Sequence, residues 1–179
     1  MKVERSAPQA VITAARFDLR PLRKSDKGLL ELHGSDERVA RMTRSIPHPL
    51  PPGVVEAFIA RAQADDRVEH VWAIDGIRSG GAELMGLISL EHMDRDQCEI
   101  GYWVAPAYWN TGIASAAVGA LIDANPLRCN TVFAEVFQDN PASARVLTNS
   151  GFHYLGDSET FSVARDAAVP TWTYLRPLG

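Results

Sequence analysis

The chain is short of the features that mark several protein classes. Among 179 residues there are two cysteines, Cys98 and Cys129, at no metal-ligand spacing. That count excludes a disulfide-dense scaffold, and small-core packing in a reducing compartment is the favoured reading over a bond between them. There is no excess of basic residues: 18 Lys and Arg stand against 22 Asp and Glu, a net charge of −4. A general affinity for nucleic acid or an anionic membrane is therefore not expected. Nor is there a secretory h-region, because residues 1–15 hold Lys2, Glu4 and Arg5 among few apolar residues. Zinc-finger spacing, G-x-x-x-x-G-K-[ST], G-x-S-x-G and H-E-x-x-H are all missing, which leaves metallohydrolase, NTPase and serine-hydrolase readings without support.

The one charge-free stretch long enough to suggest a membrane span runs for 23 residues from Ile100 to Ile122. Pro106, Asn110, Thr111 and three glycines interrupt it, and its periodicity changes midway. It reads as a buried strand, a loop and a buried helix. With 46% hydrophobic and 22% charged residues, the composition is that of an ordinary globular domain. A loose leader over residues 1–16 and one domain over 17–179 are expected.

Along that domain, Phe17, Leu19 and Leu22 suggest a first strand. Ser25 and Asp26 suggest the cap of a helix carrying Leu29, Leu30 and Leu32. Residues 37–44 are ambiguous, and the prolines from Pro47 to Pro52 dictate a stiff extended loop. A helix with Val55, Phe58, Ile59 and Ala62 on one side follows. Strands are expected at 71–74, 84–90, 98–104, 131–137 and 171–175, with helices at 113–124 and 141–150. Antiparallel strands followed by strand–helix–strand–helix predict a mixed α/β domain.

Two segments carry chemistry. Residues 104–114 lead from a strand through Tyr108, Trp109, Asn110, Thr111 and Gly112 into an alanine-rich helix. Its first turn has backbone N–H groups with no acidic side chain nearby, and the helix dipole adds positive character, so the turn suits a pyrophosphate. The same residues also fit a plain strand–helix turn. In the second segment Asn140 is an N-cap, Pro141 occupies the first helical position, and Gly151 is placed for a left-handed C-terminal cap.

Taken together, Tyr108-Trp109-Asn110-Thr111-Gly112-Ile113-Ala114, Glu99-Ile100-Gly101-Tyr102-Trp103 and the Asn140–Phe152 pattern resemble the GCN5-related N-acetyltransferase (GNAT) superfamily. The closest likeness is to its branch that acetylates ribosomal-protein N-termini. Leu19-Arg20-Pro21-Leu22 and Ile46-Pro47-His48-Pro49 extend the likeness to the first strand and a substrate-side loop.

The resemblance implies a mostly antiparallel twisted sheet with a splayed parallel pair, 98–104 and 131–137, and helices on both faces. It implies acetyl-CoA as cosubstrate, no metal, and direct attack of an amine on the thioester. Backbone N–H groups of Thr111, Gly112, Ile113 and Ala114 would seat the pyrophosphate, beside Trp109 and Asn110. A backbone N–H at Trp103 or Val104 would polarise the carbonyl, and Asn140 would hold the pantetheine arm. Glu99 is the candidate general base, or else pairs with a cation at a strand end. Ser143 is the candidate general acid, or else a helix serine without a role. His48, His92 and Tyr102 are candidate acceptor contacts.

Two residues depart from the family pattern. Asn110 replaces a glycine, which the left-handed tolerance of Asn accommodates. Thr111 replaces a longer phosphate donor. The acceptor is expected to be a protein N-terminal amine. Small amines (polyamine, amino acid or antibiotic) and a non-catalytic acyl-CoA-binding module are the alternatives. A cytoplasmic monomer or homodimer is expected.

Overall fold

The computed structural model describes residues 9–179; positions 1–8 of the expected leader lie outside the described residues. The remainder of that leader is not all loose. Ile12–Thr13 form β1, which pairs antiparallel with β2 (Asp18–Pro21), Ile12 opposite Leu19. Ile12 packs against the core, and that contact favours pairing over a coil. Trp72 ties the segment down further, donating its indole N–H to the carbonyl of Ala10 at 3.1 Å.

β2 leads through a 3-10 turn into α1 (Lys27–Gly34), then α2 (Glu37–Ala40) and α3 (Val54–Gln63). Arg20 alternates with the apolar residues of β2, yet it is buried. Its guanidinium is held by Asp26 at 2.8 and 2.9 Å and by Asp75 at 2.7 Å. A charge taken from water needs such partners, and here they fasten β2 to the start of α1 and to the end of the next strand. Residues 37–44, ambiguous by pattern, begin as α2 because Asp36 caps it by accepting from the Arg38 N–H at 2.9 Å.

The meander β3 (Glu69–Asp75), β4 (Gly86–His92) and β5 (Gln97–Val104) is antiparallel. α4 (Ile113–Ala124), β6 (Thr131–Phe137), α5 (Pro141–Asn149), β7 (His153–Ser162) and β8 (Ala167–Pro177) complete an eight-stranded sheet of order β1-β2-β3-β4-β5-β6-β8-β7. Its single parallel pair is β5 with β6. α1 and α3 pack with Leu22, Val71, Ala73 and Leu87 on one face; α4 and α5 pack with Ile88, Ile100 and Val132 on the other. The expected mixed α/β sheet with helices on both faces is what the chain forms.

The differences from the sequence expectation have physical causes. The expected last strand, 171–175, is the middle of a longer β8, and β7 lacks a signal in the sequence because most of it is exposed. The hydrophobic run 100–122, by contrast, divides as expected into β5, a turn and α4. No helix among the described residues is long and apolar enough to cross a membrane. Cys98 and Cys129, expected as free thiols, are joined in a disulfide with their Cα atoms 6.0 Å apart. The Asn125 side chain holds the backbone of Cys129 at 2.8 and 3.1 Å. That turn delivers Cys129 to the start of β6, beside Cys98 on β5. A spacing of 31 residues carries no hint of this proximity.

Candidate active site

The site is built where β5 and β6 part. They pair only at Gln97–Glu99 with Thr131–Phe133; beyond Glu99 the pairing stops and the strands separate. Tight packing of β5 on β4 helps set this geometry. A Cβ on Gly86 would lie 2.2 Å from the Trp103 carbonyl oxygen, so only glycine permits the approach.

Two cavities flank the gap, one of about 510 Å³ on the α4–α5 face and one of about 260 Å³ on the α1–α3 face. Ile100, Gly101, Tyr102, Trp103, Glu135 and Met42 line both. The two spaces therefore meet across the opened sheet.

The larger cavity brings together the residues expected to hold the cosubstrate, Trp103, Val104, Trp109, Asn110, Thr111, Gly112, Ile113, Ala114 and Asn140, with Ser143, the candidate general acid. Asn110 takes φ +60° and Gly112 φ +78°, so the asparagine does adopt the left-handed conformation that its glycine counterpart would. No side chain caps α4, and its first turn carries no acidic residue. Its leading N–H groups therefore face the cavity with the positive end of the helix dipole. The exposed Trp109 ring is fixed by its N–H donating to the Val104 carbonyl at 2.7 Å, and the Arg38 guanidinium lies 5.8 Å over it.

The Thr111 hydroxyl is not turned to the cavity as a phosphate donor. It donates to the Tyr108 carbonyl, while Arg16 donates to the Thr111 carbonyl at 3.0 Å. Arg16 was not singled out from the sequence, because it sits in the leader, far from the loop it braces.

Asn140 caps α5 by accepting from the Ser143 N–H at 3.4 Å. The Ser143 hydroxyl then faces that of Tyr102, donating to it at 2.8 Å; Tyr102 donates in turn to the Ser143 carbonyl at 3.0 Å. Burial pushes the Tyr102 phenol well above its ordinary value, so it stays protonated.

Glu99 lines neither cavity; it is half-buried and paired with Arg44, which lines the smaller one. Arg44 also approaches Glu135 at 3.9 Å. Burial raises the Glu99 carboxyl above the usual glutamate range, Arg44 opposes that shift, and Glu135 and Glu91 add to it. The pairing with a cation expected as one alternative for Glu99 is present, and the raised carboxyl is compatible with the other, a general base. Arg44 and Glu135 were missed by sequence reasoning: one lies in an ambiguous segment and the other in a strand read only for its apolar alternation.

The remaining candidates divide. Tyr102 lines both cavities, whereas His48 and His92 line neither. His92 ends β4 opposite Cys98, toward the closed end of the strand pair. Among the described residues no group of three or more His, Cys, Asp or Glu side chains is placed to hold a metal.

A strand pair opened beside an uncapped helix N-terminus is the arrangement that the sequence motifs anticipate, and comparison with known families decides it. Residues 16–153 match the model of the acetyltransferase (GNAT) domain. The chain belongs to the GNAT acetyltransferase family.

Among curated proteins, the GNAT chain is 33% identical over 107 residues to the uncharacterized N-acetyltransferase YoaA of Bacillus subtilis (strain 168). That match spans 58% of each, so the chain aligns with little more than half of the relative's length. Among solved structures, the fold is similar to ribosomal-protein-S5-alanine acetyltransferase from Vibrio fischeri, with TM-score 0.76, 17% identity and coverage of 94% and 97%. It is similar also to RimJ from Mycobacterium smegmatis in complex with CoA-disulfide, with TM-score 0.77, 20% identity and coverage of 95% and 88%. Spermidine N-acetyltransferase from Vibrio cholerae in complex with CoA and spermine gives TM-score 0.76, 16% identity and coverage of 91% and 96%.

Proposed function

We propose that this protein transfers the acetyl group of acetyl-CoA to a primary amine, with a protein or peptide N-terminal amine as the acceptor. The observation that carries the reading is the meeting of the two cavities at the β5–β6 gap. One holds residues suited to a pyrophosphate and a pantetheine arm; the other is lined by Arg44, Glu69 and Glu135, and Glu99, outside both linings, is reached through its pairing with Arg44. Acetyl-CoA enters from the α4–α5 side with its phosphates at the N–H groups of residues 111–114. A backbone N–H at Trp103 or Val104 steadies the oxyanion.

The amine nitrogen attacks the thioester carbon and the C–S bond breaks. The proton lost by the amine goes to the Glu99 carboxylate, directly or through a water. The departing thiolate takes a proton from the Ser143 hydroxyl, placed beside Tyr102 at the gap, as the serine oxygen takes one from water, so that no alkoxide is left. An α-amine, with a pKa near 7.7 to 8.0, is partly neutral at physiological pH and asks little of the base. The structural similarity to ribosomal-protein-S5-alanine acetyltransferase supports the same acceptor class.

One observation favours a second acceptor, a small polycationic amine. Glu69, Glu91 and Glu99 stand directly opposite one another on β3, β4 and β5. Like charges so placed repel, and a cation along the row would relieve them. The spermidine N-acetyltransferase fold similarity fits this reading too.

Competition at equal concentration among an N-terminal peptide, its N-blocked lysine analogue and spermidine separates the two. Preferential acetylation of the free N-terminus is expected. Preference for spermidine or for the blocked peptide would overturn the acceptor assignment.

A further inference from the structure

A junction at the edge of the cavities, built on Met42 and Phe137 of their walls, holds the segment that carries Arg44. Arg165, in the turn between β7 and β8, is largely buried there. Its Nε donates to the Arg41 carbonyl at 2.9 Å. Its two Nη atoms clasp the Asp139 carboxylate at 2.6 and 3.0 Å. The guanidinium lies 5.0 Å over the Phe137 ring and 3.9 Å from the Met42 sulfur. Two positions earlier, the backbone N–H of Val163 donates to the carbonyl of Arg44 itself at 3.0 Å.

Three separate parts of the chain meet in this way: the segment after α2, the end of β6 just before Asn140, and the tip of the β7–β8 hairpin. Few side chains other than arginine present the planar fork that grips a carboxylate and a carbonyl together.

We propose that Arg165 is a positioning residue for the acceptor side of the site: it fixes residues 41–44 so that Arg44 reaches Glu99 and Glu135. The long Arg44 side chain is about half exposed, and its reach depends on where its backbone is held. With the clasp made, Arg44 offsets the cost of keeping a charged carboxylate in a half-buried place. With the clasp broken, the segment loses its Arg165 anchors at Arg41 and Met42 and keeps the Val163 bond to the Arg44 carbonyl and the Arg41–Asp139 contact at 3.8 Å. The Arg44 side chain shifts from Glu99 toward solvent. The groups that then face Glu99 are all acidic: Glu91 from β4, Glu135 from β6 and, farther along the row, Glu69 from β3. Arg61 compensates Glu69 only.

The inference rests on the proposed role of Glu99, yet it can be tested without turnover. The Glu99 carboxyl is followed by ¹³C NMR titration, assigned by its loss in Glu99→Gln, in four proteins: wild type, Arg44→Ala, Arg165→Gln and the double variant. Removing Arg44 should raise the Glu99 midpoint by about 0.5–1 pH unit, because an opposed positive charge is lost from a partly solvated pair. Arg165→Gln should raise it in the same direction, and the double variant should go no higher than Arg44→Ala alone. Arg165→Lys keeps a cation for Asp139 without the fork and should fall between wild type and Arg165→Gln; it serves as the test if the glutamine variant does not fold.

A wild-type midpoint in folded Arg165→Gln, or additive shifts in the double variant, would overturn the proposal. Kinetically, Arg165→Gln should raise KM for the amine about 3- to 10-fold while leaving KM for acetyl-CoA unchanged. Failure of the wild type to acetylate any amine would instead overturn the proposed function and leave the titration result standing.

Discussion

The Ser143 hydroxyl donates to the Tyr102 hydroxyl at 2.8 Å, across the gap between α5 and β5. Tyr102 closes the pair by donating to the Ser143 carbonyl. The serine proton rests on the Tyr102 oxygen, whose raised phenol stays protonated, and the serine acts as the acid by turning that proton to the sulfur. Ser143→Ala should lower turnover about 10- to 100-fold with acetyl-CoA affinity retained, a general-acid effect. Tyr102→Phe should lower turnover less, since the serine stays but loses its partner. Steady-state kinetics with an independent binding titration checks both; wild-type turnover in Ser143→Ala would remove the serine from the mechanism.

Glu99 should show itself in the pH profile. Burial raises its carboxyl and Arg44 only partly opposes this, so kcat/KM should fall on the acidic side as the carboxylate takes up its proton. In Glu99→Gln the part of that limb due to the carboxylate should vanish, leaving the limb set by protonation of the amine. The loss, about 10- to 100-fold, should be largest at pH 6.5–7. It should narrow above pH 9, where the amine is already neutral. An unchanged acidic limb in the variant would assign the titration to another group.

Gly112 sits at φ +78° before the uncapped turn of α4. Acetyl-CoA should raise the melting temperature of the wild type in a concentration-dependent way. Gly112→Asp should abolish the response by setting a carboxylate against the phosphates. Gly112→Asn, of similar size, neutral and tolerant of that φ, should keep part of it. Equal loss in both variants would point to backbone strain instead of charge.

The Cys98–Cys129 bond closes a loop of 31 residues at the paired end of β5 and β6. A cross-link of that length stabilises by about 3–4 kcal/mol. The oxidised protein should therefore melt several degrees higher than the same protein after reduction, and the double serine variant should match the reduced form. Two free thiols in the denatured, non-reduced protein would contradict the pairing.

Much of the architecture was legible because the strongest patterns sit in the core. α4 and β6 begin and end where their periodicity predicts, since Ile113, Ala117, Val118 and Leu121, and Val132 and Ala134, are buried in register. Asn110 was legible as well, because few non-glycine residues tolerate its φ. β7 was not: residues 153–162 are mostly exposed, and exposure erases the alternation that marks a half-buried strand.

The acceptor side was the least legible. Glu99 stood out as an acid in an apolar strand, but its partner Arg44 lies 55 residues earlier. Arg165 acts through a backbone carbonyl 124 residues away. Contacts of that kind depend on the finished fold and leave no local spacing to read.

The account stands most directly on whether amine and thioester meet at the gap between β5 and β6. Purified protein with acetyl-CoA and a panel of N-terminal peptides and small amines should release free CoA thiol, with one acetylated amine formed per thiol. The release should fall about 10-fold or more in both Glu99→Gln and Ser143→Ala at pH 7. Thiol release from no member of the panel, by a protein that still gains thermal stability from acetyl-CoA, would contradict the account and mark the chain as a binding module.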